Sequence, residues 1–90
     1  MEVSEVVLNN LKPFCFIEQV HGEGSVRDKA TMLRRHSKSW NMIVNYSEEI
    51  IDDVCIWNYT LIRCGSSLIM NKIRDMLINN KEDEIIKLIK

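Results

Sequence analysis

Apolar positions recur along this chain at spacings of three and four, as in Val3, Val6, Val7 and Leu11 or Leu68, Ile69, Ile73, Met76 and Leu77. Sustained apolar/polar alternation is absent, and the pattern predicts helices. The first covers Glu2 to Leu11 and stops before Pro13, whose ring cannot continue a helix. Phe14, Phe16, Ile17 and Val20 form a short helical or irregular segment, and "HGEGS", His21 to Ser25, holds two of the three glycines and reads as a loop. Ser25 is placed to cap a helix from Val26 to His36. Ser37 or Ser39 starts another through Trp40, Ile43 and Val44, and Ser47, followed by Glu48 and Glu49, starts a third. Gly65 stops that helix and Ser66 or Ser67 restarts the chain. Asn80 caps a last helix with acids in its first turn and Lys87 and Lys90 near its end. The expectation is an all-α fold, a compact bundle of five to seven short helices in a single domain, residues 1–90.

Within that scheme the segment Val54 to Cys64 stands apart. Wound as a helix, its side chains are apolar in nearly every direction, interrupted only by Asn58, Thr60 and Arg63. Such a helix needs cover on most sides. Either it is the central helix of the bundle, or a second chain covers one side. In the second case Trp57, Tyr59 and Ile62 are self-association residues and a symmetric homodimer is the simplest cover.

Charge and composition narrow the function classes. A formal net charge of -1 gives no global attraction to nucleic acid or acidic lipid. No apolar run approaches the roughly 20 residues of a membrane span, so no membrane partner is expected. Twelve Ile and eight Asn against one Ala and one Pro suggest an AT-rich genome, such as that of a virus, a phage or an AT-rich pathogen. Cys15, Cys55 and Cys64 make an odd count without a CxxC, and no signal-peptide-like stretch opens the chain. Reduced thiols and a cytoplasmic location are expected.

The chemistry-bearing segments are two. "VRDKATMLRRHSKSW", Val26 to Trp40, sets Arg27, Lys29, Arg34, Arg35 and Lys38 against the single acid Asp28, and its two short helices resemble a helix-turn-helix without the usual glycine turn. "EEIIDD" places Glu48 with Asp52 and Glu49 with Asp53 at helical i,i+4 spacing, where paired carboxylates can bind a divalent ion. A second acidic pair for a metal-dependent hydrolase is missing, and the cysteines and histidines lack zinc spacing. No metal, no cofactor and no catalytic residue is expected.

These features imply a non-enzymatic protein-protein interaction module of inhibitor, adaptor, immunity or chaperone type. Arg34, Arg35, Lys38, Trp40, Glu48 and Asp52 are its expected partner-binding residues. The alternative is a nucleic-acid-binding regulator that uses residues 26–40.

Overall fold

The computed structural model describes residues 1–81 and 83–85 and corrects the fold class: the chain is mixed α/β, built on a three-stranded antiparallel sheet, and not an all-α bundle. Its elements run α1 (Glu5–Leu11), β1 (Cys15–Gly24), α2 (Val26–Ser39), β2 (Met42–Ile51), β3 (Val54–Cys64) and α3 (Ser67–Ile78). The strands lie in the order β1-β3-β2, so the last strand in sequence is the central one. Both partners of β3 are antiparallel to it, which makes β1 and β2 parallel to each other, joined by the crossover helix α2.

The segment that reads as an all-round apolar helix is therefore β3. Its odd positions Cys55, Trp57, Tyr59 and Leu61 pack with Val20, Ile43 and Trp40, and with Met32 and Leu33 of α2, on one face. Its even positions Ile62 and Cys64 join Val44, Val3, Val7, Leu8 and Leu11 at the N-terminus, Met70, Ile73 and Leu77 of α3, and Ile85, on the other. From Tyr59 to Ile62 the strand is buried on both faces and carries no alternation, and its β-branched and aromatic content suits a pleated surface. Helices thus flank the sheet on both sides. However, α1 and α3 cover only the half of their face nearest Ile62 and Cys64.

Two of the chain reversals have clear local causes. Asp52 and Asp53, with φ of 50° and 63°, make the two-residue turn between β2 and β3, and positive φ at both central residues is the mark of a type I′ hairpin. "EEIIDD" is accordingly a strand end and its turn. The helical i,i+4 pairs Glu48–Asp52 and Glu49–Asp53 do not form, because Glu48 and Glu49 lie in an extended strand and the aspartates in its turn. Gly24, with φ of 154°, ends β1 and hands over to Ser25, which caps α2 through a complete capping box with Asp28.

That helix runs through Ser37 and Ser39, whose hydroxyls donate to the carbonyls of Leu33 and Arg35 instead of starting a new helix. The segment after it is strand β2, so the helix-turn-helix resemblance is lost. Ser47 likewise lies inside β2.

A bulge between Val44 and Ser47 breaks the β2 register at Asn45, which has φ of 55°. The Asn45 carboxamide accepts from the Val3 N–H at 2.6 Å and donates to the Val3 carbonyl at 2.9 Å, and the Asn45 N–H donates to the Met1 carbonyl. One side chain thereby secures the N-terminal segment against the sheet.

Cys15 and Cys64 face each other across β1 and β3 and form a disulfide, with Cα atoms 4.3 Å apart. This corrects the expectation of three reduced thiols; Cys55 alone is free, and it is buried. Among the described residues no helix is long and apolar enough to cross a membrane. Residues 83–85 are helical, as a helix after Asn80 requires, but Lys87 and Lys90 lie outside the described residues.

Candidate functional site

Helix α2 divides its residues cleanly between two sides. Lys29, Met32, Leu33, His36 and, just past the helix end, Trp40 face the sheet: Lys29 pairs with Glu48, and His36 Nδ1 lies 2.6 Å from the Tyr59 hydroxyl. At about 100° per residue, Arg27, Thr31, Arg34, Arg35 and Lys38 fall within an arc of about 100° on the opposite side. All five are exposed. Thr31, Arg34, Arg35, Lys38 and Ser39 line an open cleft of about 360 Å³.

The only salt bridge among the described residues is Lys29–Glu48, so Arg27, Arg34, Arg35 and Lys38 hold no carboxylate. The Thr31 and Ser39 hydroxyls in the cleft donate to the carbonyls of Arg27 and Arg35, which leaves the cations as its available donors.

Between α2 and the sheet lies a polar network. Lys29 donates to Glu48, whose carboxylate also accepts from the Tyr46 hydroxyl, and the Tyr46 ring stacks on Tyr59 with centroids 6.3 Å apart. The hydrogen bond from Lys29, then that from Tyr46, holds the Glu48 carboxyl below its usual range. Burial, and secondarily Tyr46, pushes the Tyr59 phenol up and keeps it neutral. These groups fasten the helix to the sheet.

At the far end of the β2–β3 hairpin the surface changes character. Ile50, Ile51 and Val54 are 62%, 47% and 40% exposed, and Val26 at the start of α2 is 59% exposed. Glu49, Asp52 and Asp53 surround the hairpin residues, and from Ser47 to Asn58 there is no Lys or Arg. On the half of the sheet face that α1 and α3 leave open, Gln19, His21, Asn58 and Thr60 line a smaller cleft of about 210 Å³. There the His21 ring lies 2.6 Å from the Asn58 carboxamide oxygen.

Measured against the expected partner-binding residues, the structure brings Arg34, Arg35 and Lys38 together and separates the others from them. Trp40 is half-buried, with the Arg63 guanidinium 4.9 Å from its ring centroid. Glu48 is engaged by Lys29 and Tyr46, and Asp52 belongs to the hairpin tip. The expected self-association residues Trp57, Tyr59 and Ile62 are 3%, 2% and 0% exposed in the single chain, so they offer no surface to a second copy.

Ile50, Ile51 and Val54 were not expected to be functional, because a helical reading places them toward a core. The adjacent acids "DD" in an apolar run were the available sign of a turn. Among the described residues, no group of three or more His, Cys, Asp and Glu side chains is arranged to hold a metal ion.

The class so defined is a small α/β domain with a three-stranded antiparallel sheet between helices and two exposed surfaces of opposite character. Comparison of the chain with protein-family models, curated proteins and solved structures found no match.

Proposed function

We propose that the chain is a non-enzymatic protein-interaction module, of inhibitor or adaptor type, that inserts its β2–β3 hairpin tip into a partner protein. One observation carries this reading: at the end of the hairpin the register pair Ile51 and Val54 is exposed on one face beside Glu49, Ile50 is exposed on the other face, and Asp52 and Asp53 make the turn between the strands. A hairpin tip that carries exposed apolar side chains on both faces, with acids beside them, has the apolar centre and polar rim of an interface once a partner encloses it. The absence of any Lys or Arg between Ser47 and Asn58 makes that rim uniformly negative. The fitting partner is a protein with an apolar recess bordered by Lys or Arg. The isoleucines and valine would supply affinity, and the acids would steer encounter and set orientation.

The Cys15–Cys64 disulfide favours an oxidising compartment for this module over the cytoplasm that the cysteine count suggests.

A photo-crosslinking residue at position 50, with one at Asn71 on α3 as control, tests the idea in extract of the source cell. The expected result is a protein captured at position 50 alone, whose affinity for the purified chain falls at least tenfold with Ile50→Asp while the circular dichroism spectrum is unchanged. Capture equal at both positions, or affinity indifferent to Ile50→Asp, would overturn the proposal.

A further inference from the structure

We infer that the outward face of α2 is a second, independent binding surface, one that takes the phosphate backbone of a nucleic-acid duplex. Four cations, Arg27, Arg34, Arg35 and Lys38, lie on this face with no carboxylate paired to them among the described residues, whereas Lys29 of the same helix is turned inward and neutralised by Glu48. The segregation matters because the whole chain carries a formal charge of only -1. Any attraction for a polyanion must come from this local stripe and not from the overall field. From Arg27 to Lys38 the stripe is about 16 Å long at 1.5 Å rise per residue. A duplex presents one negative charge per roughly 1.7 Å of axis, so several phosphates lie within reach.

The composition of the face selects among anionic partners. The side chains lining its cleft are Thr31, Arg34, Arg35, Lys38 and Ser39, without an aromatic or a large aliphatic among them. A protein interface needs apolar anchors, and a single-stranded nucleic acid needs aromatic platforms for its bases. A duplex backbone needs neither, only positive donors at phosphate spacing. Three of the four cations are arginines, whose planar guanidinium groups bind phosphate oxygens in pairs. Contact of this kind fixes position without reading bases, so binding should be independent of sequence. The helix is well suited to carry it, since Ser25 and Asp28 cap its start and Met32, Leu33 and His36 hold it on the sheet.

The test is fluorescence anisotropy of the full chain with short labelled duplexes of DNA and of RNA, a single strand, and polyglutamate as competitor, over a series of salt concentrations. Expected is duplex binding with a slope of log K against log[salt] of about -3.6, from about 0.9 per phosphate neutralised by the four cations. Arg34→Gln with Arg35→Gln should make the slope shallower by about 2 and weaken binding at least tenfold at low salt. The duplex arms, DNA against RNA, tell which nucleic acid is preferred.

Ile50→Ser with Ile51→Ser should leave duplex binding unchanged, which keeps this inference separate from the hairpin proposal. Since the arginines are exposed, an unaltered melting curve checks that their loss leaves the fold intact. No duplex binding at low salt, binding insensitive to salt or to the arginine change, or displacement by polyglutamate as effective as by unlabelled duplex would each overturn the inference. The last would mean an acidic protein as ligand.

Discussion

Gly22 shows how one residue sets the packing of a sheet. It lies directly opposite Trp57 in the β1–β3 register, and a Cβ built on it would sit 2.4 to 2.5 Å from three atoms of the indole ring. The ring therefore occupies the space a side chain would take, and a glycine in mid-strand is compensated by the aromatic lying across it. Trp57 is 3% exposed, and its indole N–H has no hydrogen-bond partner in the described structure, so the ring is held by packing alone. Gly22→Ala should lower stability by about 1 to 3 kcal/mol through overpacking, and Gly22→Val by more. Urea unfolding followed by tryptophan fluorescence measures it; an unchanged midpoint for both variants would show that the ring moves aside freely. At this position the sequence was misleading for a physical reason: a glycine in "HGEGS" signals a loop unless the tryptophan that fills its place, 35 residues later, is known.

At the scale of elements, α2 couples helix formation to pH. The Ser25 N–H donates to the Asp28 carboxylate and, with the Ser25 hydroxyl close by, holds its pKa below the ordinary carboxylate range, and Lys29 does the same for Glu48. Both groups bind protons more weakly in the folded chain than in the unfolded one. Their contribution is fully present above the unfolded carboxylate pKa values, about 4, and is lost as pH falls through the lower folded values. Acid unfolding should therefore set in below about pH 4, and Asp28→Asn with Glu48→Gln should flatten the acid limb while lowering stability at neutral pH. Thermal melts of both proteins from neutral to acid pH decide this; parallel pH profiles would contradict it.

The helices were the legible elements. Ser25 caps α2, Ser66 caps α3 and Leu11 ends α1 close to expectation, because caps and prolines act locally. The strands were not legible, because burial on both faces from Tyr59 to Ile62, with apolar Val54 and Ile56 on the open face, erases the alternation of β3, and the Asn45 bulge and the Tyr46 to Ile51 stretch blur that of β2. The basic surface survived this error since Arg34, Arg35 and Lys38 lie on a true helix. The hairpin tip did not, since it exists only once β2 and β3 pair.

The whole molecule is elongated, 46 × 22 × 21 Å, with its disulfide at the end where α1, β1, β3 and α3 meet. Cys15 and Cys64 are separated by 49 positions, and a crosslink closing a loop of that size stabilises by about 4 kcal/mol through the unfolded state. Reduction, or Cys15→Ser with Cys64→Ser, should lower the unfolding free energy by up to about that amount and leave the register intact. Denaturation with and without reductant reads the difference. Equal stability would mean that the two sulfurs are not joined in solution.

The central position of β3 also governs the order in which the molecule can assemble while it is being made. β1 is complete at Gly24, yet the strand it pairs with ends at Cys64. Translation at about 5–20 residues per second separates those two points by roughly 2 to 8 s. During that interval α2 can form locally, but its inward face has no sheet to rest on and β1 has no neighbour. The older strand β1 finds its neighbour only when β3 emerges, so the nascent chain holds β1 exposed until the residues up to Cys64 have been made.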